Sequence, residues 1–230
     1  MSFNKILDND IKQIKKELNS MIEKTKDQFK LTFESLITKD VEKCKLVIEK
    51  DKEINKLQND FIKQAQWKIA KQHMVASDLR LAIGSIMIAR DLERTADVAK
   101  HICQYIVKYK PETIDVEYIS SIFDTVTKMF NEVATHIENP YEDRAIKAVQ
   151  EQLNIAKAFD ELYNKLVENV SKNNKPESIV KTFRIVRRLR DLEHVGEYLL
   201  GIEESIRFIK TGKVDEIQKA IVEEVKVSKK

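Results

Sequence analysis

At 230 residues the chain is long enough to bury a core without staples, and its 4 glycines and 3 prolines are too little turn chemistry for an all-β or alternating α/β fold. Its 41 basic and 38 acidic residues are interspersed, for a formal charge of +3, which gives no reason to expect a nucleic-acid groove. Cys44 and Cys103 stand 59 positions apart and read as reduced core residues, and the evenly charged opening MSFNKILDNDIKQIKKEL is neither a signal peptide nor a membrane span, so a cytoplasmic protein is expected.

Ile11, Ile14, Leu18, Met21, Phe29, Phe33 and Leu36 recur mainly at three- and four-residue steps, which predicts one amphipathic helix from about residue 3 to 37. The TKD at 38–40 supplies capping residues for a second periodic run, Val41, Cys44, Ile48, Ile54, Leu57, Phe61 and Ile69, ending near Gln72. VASD at 75–78 offers Ser77 or Asp78 as the cap of a third helix, which continues to about Lys108 and is stopped by Pro111. Arg80 is expected to order the preceding loop or to pair with Asp78. A fourth helix runs to about Glu138, with a break at Asn139 and Pro140. A fifth runs to about Ser171 before KNNKPE, and a sixth runs to about Lys210 with Gly212 as its C-terminal cap. Trp67 and the nine phenylalanines are expected in cores. His73, His101 and His136 have no spaced partners and read as surface or end-capping residues.

Setting residue 90 on residue 190 superposes RDLE on RDLE, Ile86 on Val186 and Ala96 on Gly196, an internal repeat of 100 positions. A period that long suggests a duplicated three-helix bundle. The expected architecture is therefore all-α, with one bundle over residues 1–110, a second over 111–212, and a basic tail over 213–230.

The repeat carries an awkward pattern. On a helical wheel Ser85, Ala89, Leu92, Ala96, Ala99 and Cys103 share one face, Glu93 lies on its flank with Ala82 and Ile86, and Asp97 sits at the edge, one turn from Glu93. Glu193 and Glu197 repeat the arrangement beside Val186 and Leu189. Like charges at this spacing require compensation once water is withdrawn. Arginines offer one source: Arg90 and Arg94 in the first copy, and Arg187, Arg188 and Arg190 in the second. A divalent cation offers another, because hard metals are held by oxygens gathered from neighbouring helices. Asp51 and Asn55, in DKEIN, form an oxygen pair on the second helix, and Asp160 stands alone in AKAFD on the fifth.

DKEINKLQNDF (51–61), IAKQHMVASDLRLAIGSIMIARDLERTADVAKHI (69–102) and IVRRLRDLEHVGEYLLGIEESIRFIKTG (185–212) resemble the PhoU family, regulators that accompany bacterial high-affinity phosphate uptake. The resemblance spans about residues 10–212. It implies two three-helix bundles and metal clusters gathered by acidic motifs. These motifs fall on Asp51, Asn55, Glu93 and Asp97 in the first repeat, and on Ala156, Asp160, Glu193 and Glu197 in the second. The cation it implies is Fe, Mn, Zn or Mg. It also implies a non-catalytic adaptor between the ATPase subunit of a phosphate ABC transporter and a phosphate-sensing histidine kinase, and a homodimer is expected because long amphipathic bundles often keep an apolar stripe for a partner. Such an adaptor restrains signalling when phosphate is plentiful and meets the membrane only through partners. The chain departs from the pattern: Asn55 stands for an Asp, Ala156 has no carboxylate, and Glu197 is a longer Asp, so each lost charge weakens a site. Two other readings remain open. A carboxylate-bridged metalloenzyme lacks its usual ExxH step here, since Ala96 and Gly196 stand where His is needed. A purely structural helical protein requires an arginine for each buried acid.

Overall fold

The structure, a computed structural model, describes residues 3–138, 144–172 and 175–214. It contains six α-helices: α1 (Phe3–Thr38), α2 (Val41–Gln72), α3 (Ala76–Tyr109), α4 (Thr113–Glu138), α5 (Ala145–Lys172) and α6 (Pro176–Thr211), with no strand among the described residues. The expected breaks at Asn139 and Pro140, and at Asn173 and Asn174 of KNNKPE, lie outside the described residues, as does the basic tail from residue 215.

Most helix ends follow from local chemistry. The Asp40 carboxylate accepts hydrogen bonds from the backbone N–H groups of Glu42 and Lys43, which caps α2. At the far end His73 adopts a left-handed conformation (φ 47°) and closes the helix through its backbone N–H to Ile69. Gly212 ends α6 in the same region (φ 75°), where a glycine carries no Cβ penalty, and Pro176 opens that helix with a φ already suited to it. The start of α3 differs from expectation. Its N-cap is Val75, which makes no side-chain cap bond, and Ser77 and Asp78 lie inside the first turn. Asp78 there complements the positive end of the helix dipole instead of capping it.

Helices α1, α2 and α3 pack as one bundle and α4, α5 and α6 as another, while α3 lies against α6 and α1 against α4. The two bundles share one continuous apolar core. Phe29 of α1 illustrates the junction: its ring centroid lies 5.2 Å from that of Phe123 and 5.5 Å from that of Phe130, both on α4. Burying one such side chain contributes about 1.5–3 kcal/mol, and each aromatic pair adds about 0.5–1.5 kcal/mol. Helices α3 and α6 run antiparallel. Gly84 faces Ile209 at one end, Arg94 covers the Tyr198 ring near the middle, and Arg184 covers Tyr109 at the other.

Four side chains depart from expectation. Trp67 is 57% exposed, because the buried stripe of α2 runs through Phe61, Ala65, Lys68 and Gln72 and Trp67 lies off it, under the Lys71 ammonium at 4.3 Å. Phe183 is likewise exposed on α6. His136 is buried, with Nδ1 2.6 Å from Glu203 Oε2, so it belongs to an internal network rather than the surface. Arg80 neither orders the α2–α3 loop nor pairs with Asp78. Its Nε donates to the Ile209 carbonyl on α6 at 3.4 Å.

Candidate functional site

The first acidic motif sits where α2 and α3 face each other. Asp51 is buried on α2, and Glu93 and Asp97 are half-buried one turn apart on α3. Asn55 donates through Nδ2 to Asp51 Oδ2 at 3.3 Å. Asn55 thus bonds Asp51 across one turn of α2, and Glu93 lies near enough to Asp51 and Asp97 to feel their charge, but the cation among these acids is neither Arg90 nor Arg94. Lys100 Nζ donates to Asp51 Oδ2 at 3.0 Å and also to Asp97 Oδ1. Burial pulls the Lys100 ammonium down, but its bonds to Asp97 and Asp51 outweigh that and leave its pKa raised, so the group stays charged. Arg94 turns away to Asp91 at 3.7 Å and covers the Tyr198 ring at 4.7 Å. The signal for Lys100 was present in the sequence: it stands three positions after Asp97, on the same helix face.

Lys100 does not satisfy the whole cluster. Asp51 Oδ1 and Asn55 Oδ1 are buried acceptors without a donor. Glu93 has no ion pair among the described residues, and its pKa is raised first by burial, then by the charges of Asp97 and Asp51. Two orphaned oxygens beside an uncompensated carboxylate are the donor chemistry that a hard cation requires. The side chains are not drawn in around such an ion: among the described residues no group of three or more His, Cys, Asp or Glu stands at metal-ligating geometry.

The second motif is built differently. Glu193 is buried and accepts from Arg190, and Glu197 lies 2.8 Å from Nδ1 of His194. Asp160 is exposed on α5, and no hydrogen bond or ion pair joins it to either glutamate. Helices α5 and α6 meet there through apolar contact, with Ile155 Cδ1 3.1 Å from where a Cβ on Gly196 would lie. Arginine and histidine thus compensate the second pair, and these residues do not fit a metal.

A hollow of about 320 Å³ lies between α3 and α6, lined by Glu93, Asp97, His101, Asp191, His194 and Tyr198. His101 Nε2 is 3.3 Å from Asp97 Oδ2, and Asp191 pairs with Arg188 at 2.9 Å. Burial raises the Asp191 pKa, against the pull of Arg188, and lifts that of Asp91 to about 6 against the pull of Arg94 and Arg90. No described helix is long and apolar enough to cross a membrane.

Six long helices in two repeated bundles, joined through α3 and α6 with acidic motifs at matching positions, define an all-α double-bundle protein. The fold is shared with the crystal structure of PhoU from Pseudomonas aeruginosa, at a TM-score of 0.79 and 23% identity over 90% of this chain and 99% of that one. The PhoU domain family model matches residues 18–106. Two curated relatives are named phosphate-specific transport system accessory protein PhoU homolog. The one from Borreliella burgdorferi is 27% identical, covering 86% of this chain and 97% of its own. The one from Zymomonas mobilis is 27% identical, covering 79% and 77%. The chain thus resembles PhoU proteins along both bundles, with the PhoU domain itself matched over residues 18–106.

Proposed function

We propose that this protein is a non-catalytic accessory regulator of phosphate uptake. In this role it links the ATPase subunit of a phosphate ABC transporter to a phosphate-sensing histidine kinase on the cytoplasmic side, and it lowers signalling when phosphate is plentiful. The observation that carries the reading is the match across both bundles to relatives named as phosphate-transport accessory proteins. Long helical faces suit docking between larger partners better than they suit turnover. Deleting the gene and following phosphate-responsive expression tests the role: repression in rich phosphate is expected to fail, and unchanged repression would count against it. Recovery of the transporter ATPase on the immobilised protein tests the partner.

The same reading includes a divalent or iron-type cation at the first cluster, held by Asp51, Asn55, Glu93 and Asp97. The orphaned Asp51 and Asn55 oxygens and the unpaired Glu93 support it. The ion would neutralise these acids and fasten α2 to α3, leaving Lys100 to move aside. Elemental analysis of purified protein against the double variant Glu93→Ala, Asp97→Ala decides it. Metal near one equivalent in the parent, lost in the variant, is expected; substoichiometric metal in both would leave Lys100 as the sole compensation.

A homodimer completes the proposal. Ile146, Leu153 and Val167 are exposed at multiples of seven along α5, a stripe of the kind that helices bury against a copy of themselves. Sedimentation of the parent and of Leu153→Glu is expected to show a dimer and a monomer, respectively.

A further inference from the structure

The C-terminal half of α3 and the N-terminal third of α6 enclose a second cleft, of about 230 Å³, which none of the acidic motifs enters. Its walls are basic and aromatic: Tyr105, Lys108 and Tyr109 from α3, and Arg184, Arg187 and Arg188 from α6. The Arg184 guanidinium lies 4.0 Å from the Tyr109 ring centroid, and Lys108 Nζ lies 5.2 Å from the same centroid. Arg188 is buried and held in place, donating to the His101 carbonyl at 2.9 Å and pairing with Asp191 at 2.9 Å.

The acids nearby are already engaged. Asp191 takes Arg188, while Glu112 and Asp115 take Lys181 at 2.7 and 3.2 Å. No carboxylate lies within 4.0 Å of Lys108, Arg184 or Arg187 among the described residues. Three cations with no carboxylate partner among the described residues therefore converge on one concavity. Burial lifts the Tyr105 hydroxyl to about 12, so it remains a neutral donor there.

The duplication supplies an internal control. Shifting the basic triad by 100 positions replaces Arg184, Arg187 and Arg188 with Gly84, Met87 and Ile88, and replaces Lys108 with Phe208. At that end α3 and α6 close completely, with Ile209 occupying the space a Cβ on Gly84 would need. The backbone arrangement thus does not require an open basic cleft. The residues at the Tyr109 end keep it open and charged.

We propose that this cleft is a binding site for a compact phosphate group, either free orthophosphate or the phosphate of a small monoester. Arginine forks match phosphate oxygens two at a time, Lys108 adds a point charge, and Tyr105 adds a neutral donor. The volume falls below the roughly 300–1,000 Å³ of pockets that hold larger ligands, which suits a single phosphate group over a nucleotide. The site stands on this geometry alone and does not depend on the phosphate-uptake role.

Calorimetric titration of the full chain at constant ionic strength tests it, with orthophosphate and glycerol 3-phosphate as separate probes. Binding of at least one probe with a Kd of about 1 mM or tighter is expected. Orthophosphate binding marks the free ion as occupant, and a response to glycerol 3-phosphate alone marks a monoester. The double variant Arg184→Ala, Arg187→Ala removes two exposed side chains and is expected to weaken binding at least about tenfold. Should it fail to fold, Arg184→Lys with Arg187→Lys keeps the charge, loses the forks, and is expected to weaken binding by a smaller factor. Removing equal charge elsewhere, with Lys157→Ala and Lys165→Ala on α5, is expected to leave binding unchanged. Silence to both probes, or equal weakening by the α5 variant, would overturn the proposal.

Discussion

Lys100 of α3 reaches Asp51 of α2, Nζ to Oδ2 at 3.0 Å, and so places a single ammonium between the acids of two helices. Asp51 is 3% exposed, which makes its carboxylate costly without that partner. Lys100→Ala is expected to destabilise the protein by about 3 kcal/mol, the lower end for breaking a buried pair, because the lysine side chain itself retains 19% exposure. Chemical unfolding measures the loss. Added divalent metal should recover more stability in Lys100→Ala than in the parent, since the ion then meets no competing ammonium; an equal response would argue that the cluster has no affinity for cations.

The two acidic motifs should also behave unequally. Glu93 stands near two orphaned oxygens, whereas Glu193 already accepts from Arg190 and Glu197 from His194. Metal content is expected to fall in Glu93→Ala, Asp97→Ala and to stay at the parent level in Glu193→Ala, Glu197→Ala. A loss confined to the second pair would reverse the assignment.

Helix ends were legible where one residue decides them. Asp40 can cap, Pro111 cannot continue a helix, and Gly212 accepts a positive φ, and all three act accordingly. The start of α3 was not legible, since Ser77 and Asp78 both have capping chemistry and the helix begins ahead of both, at Ala76 with Val75 as its N-cap. At the first cluster the spacing pointed to Asp51, Asn55, Glu93 and Asp97, but it missed Lys100 because arginines of the motif offered a nearer source of charge. Asp160 stands apart from the α6 glutamates for a different reason. Its face of α5 depends on how α5 and α6 meet, and that is set by Ile155 against Gly196 rather than by any charged residue. The buried His136–Glu203 contact joins positions 67 apart on different helices, and no periodicity within one helix reports such a pair.

Gly84 tests the tight end of the α3–α6 contact. A Cβ there would displace Ile209 and come 3.3 Å from the Ser205 carbonyl oxygen, and the backbone oxygen cannot move aside as a side chain can. Gly84→Ala is expected to cost about 1–2 kcal/mol, overpacking outweighing the improved helix propensity of alanine. Gly196→Ala meets only side-chain atoms of Ile155, from 3.1 Å outward, and should be close to neutral. Denaturant midpoints of the two variants measured side by side check the contrast, which would collapse if both were equally tolerated.

Asp91 gives the fold a specific pH dependence. Its side chain is 17% exposed against α6, and burial lifts its pKa to about 6, with Arg94 and Arg90 opposing the rise. The folded state therefore holds this proton to higher pH than the unfolded chain does. The stability associated with the proton is fully present below about pH 4 and is lost as pH rises through about 6. Asp91→Asn removes the titration but keeps the size of the side chain. Relative to the parent, the variant should gain up to about 3 kcal/mol between pH 4 and pH 7, reduced by whatever the Arg94 pair contributes to the parent. Urea unfolding at pH 4, 5, 6 and 7 reads the difference directly. Parallel pH profiles for the two proteins would show that Asp91 keeps an ordinary carboxylate pKa, and that the α3–α6 interface admits enough water to solvate its charge.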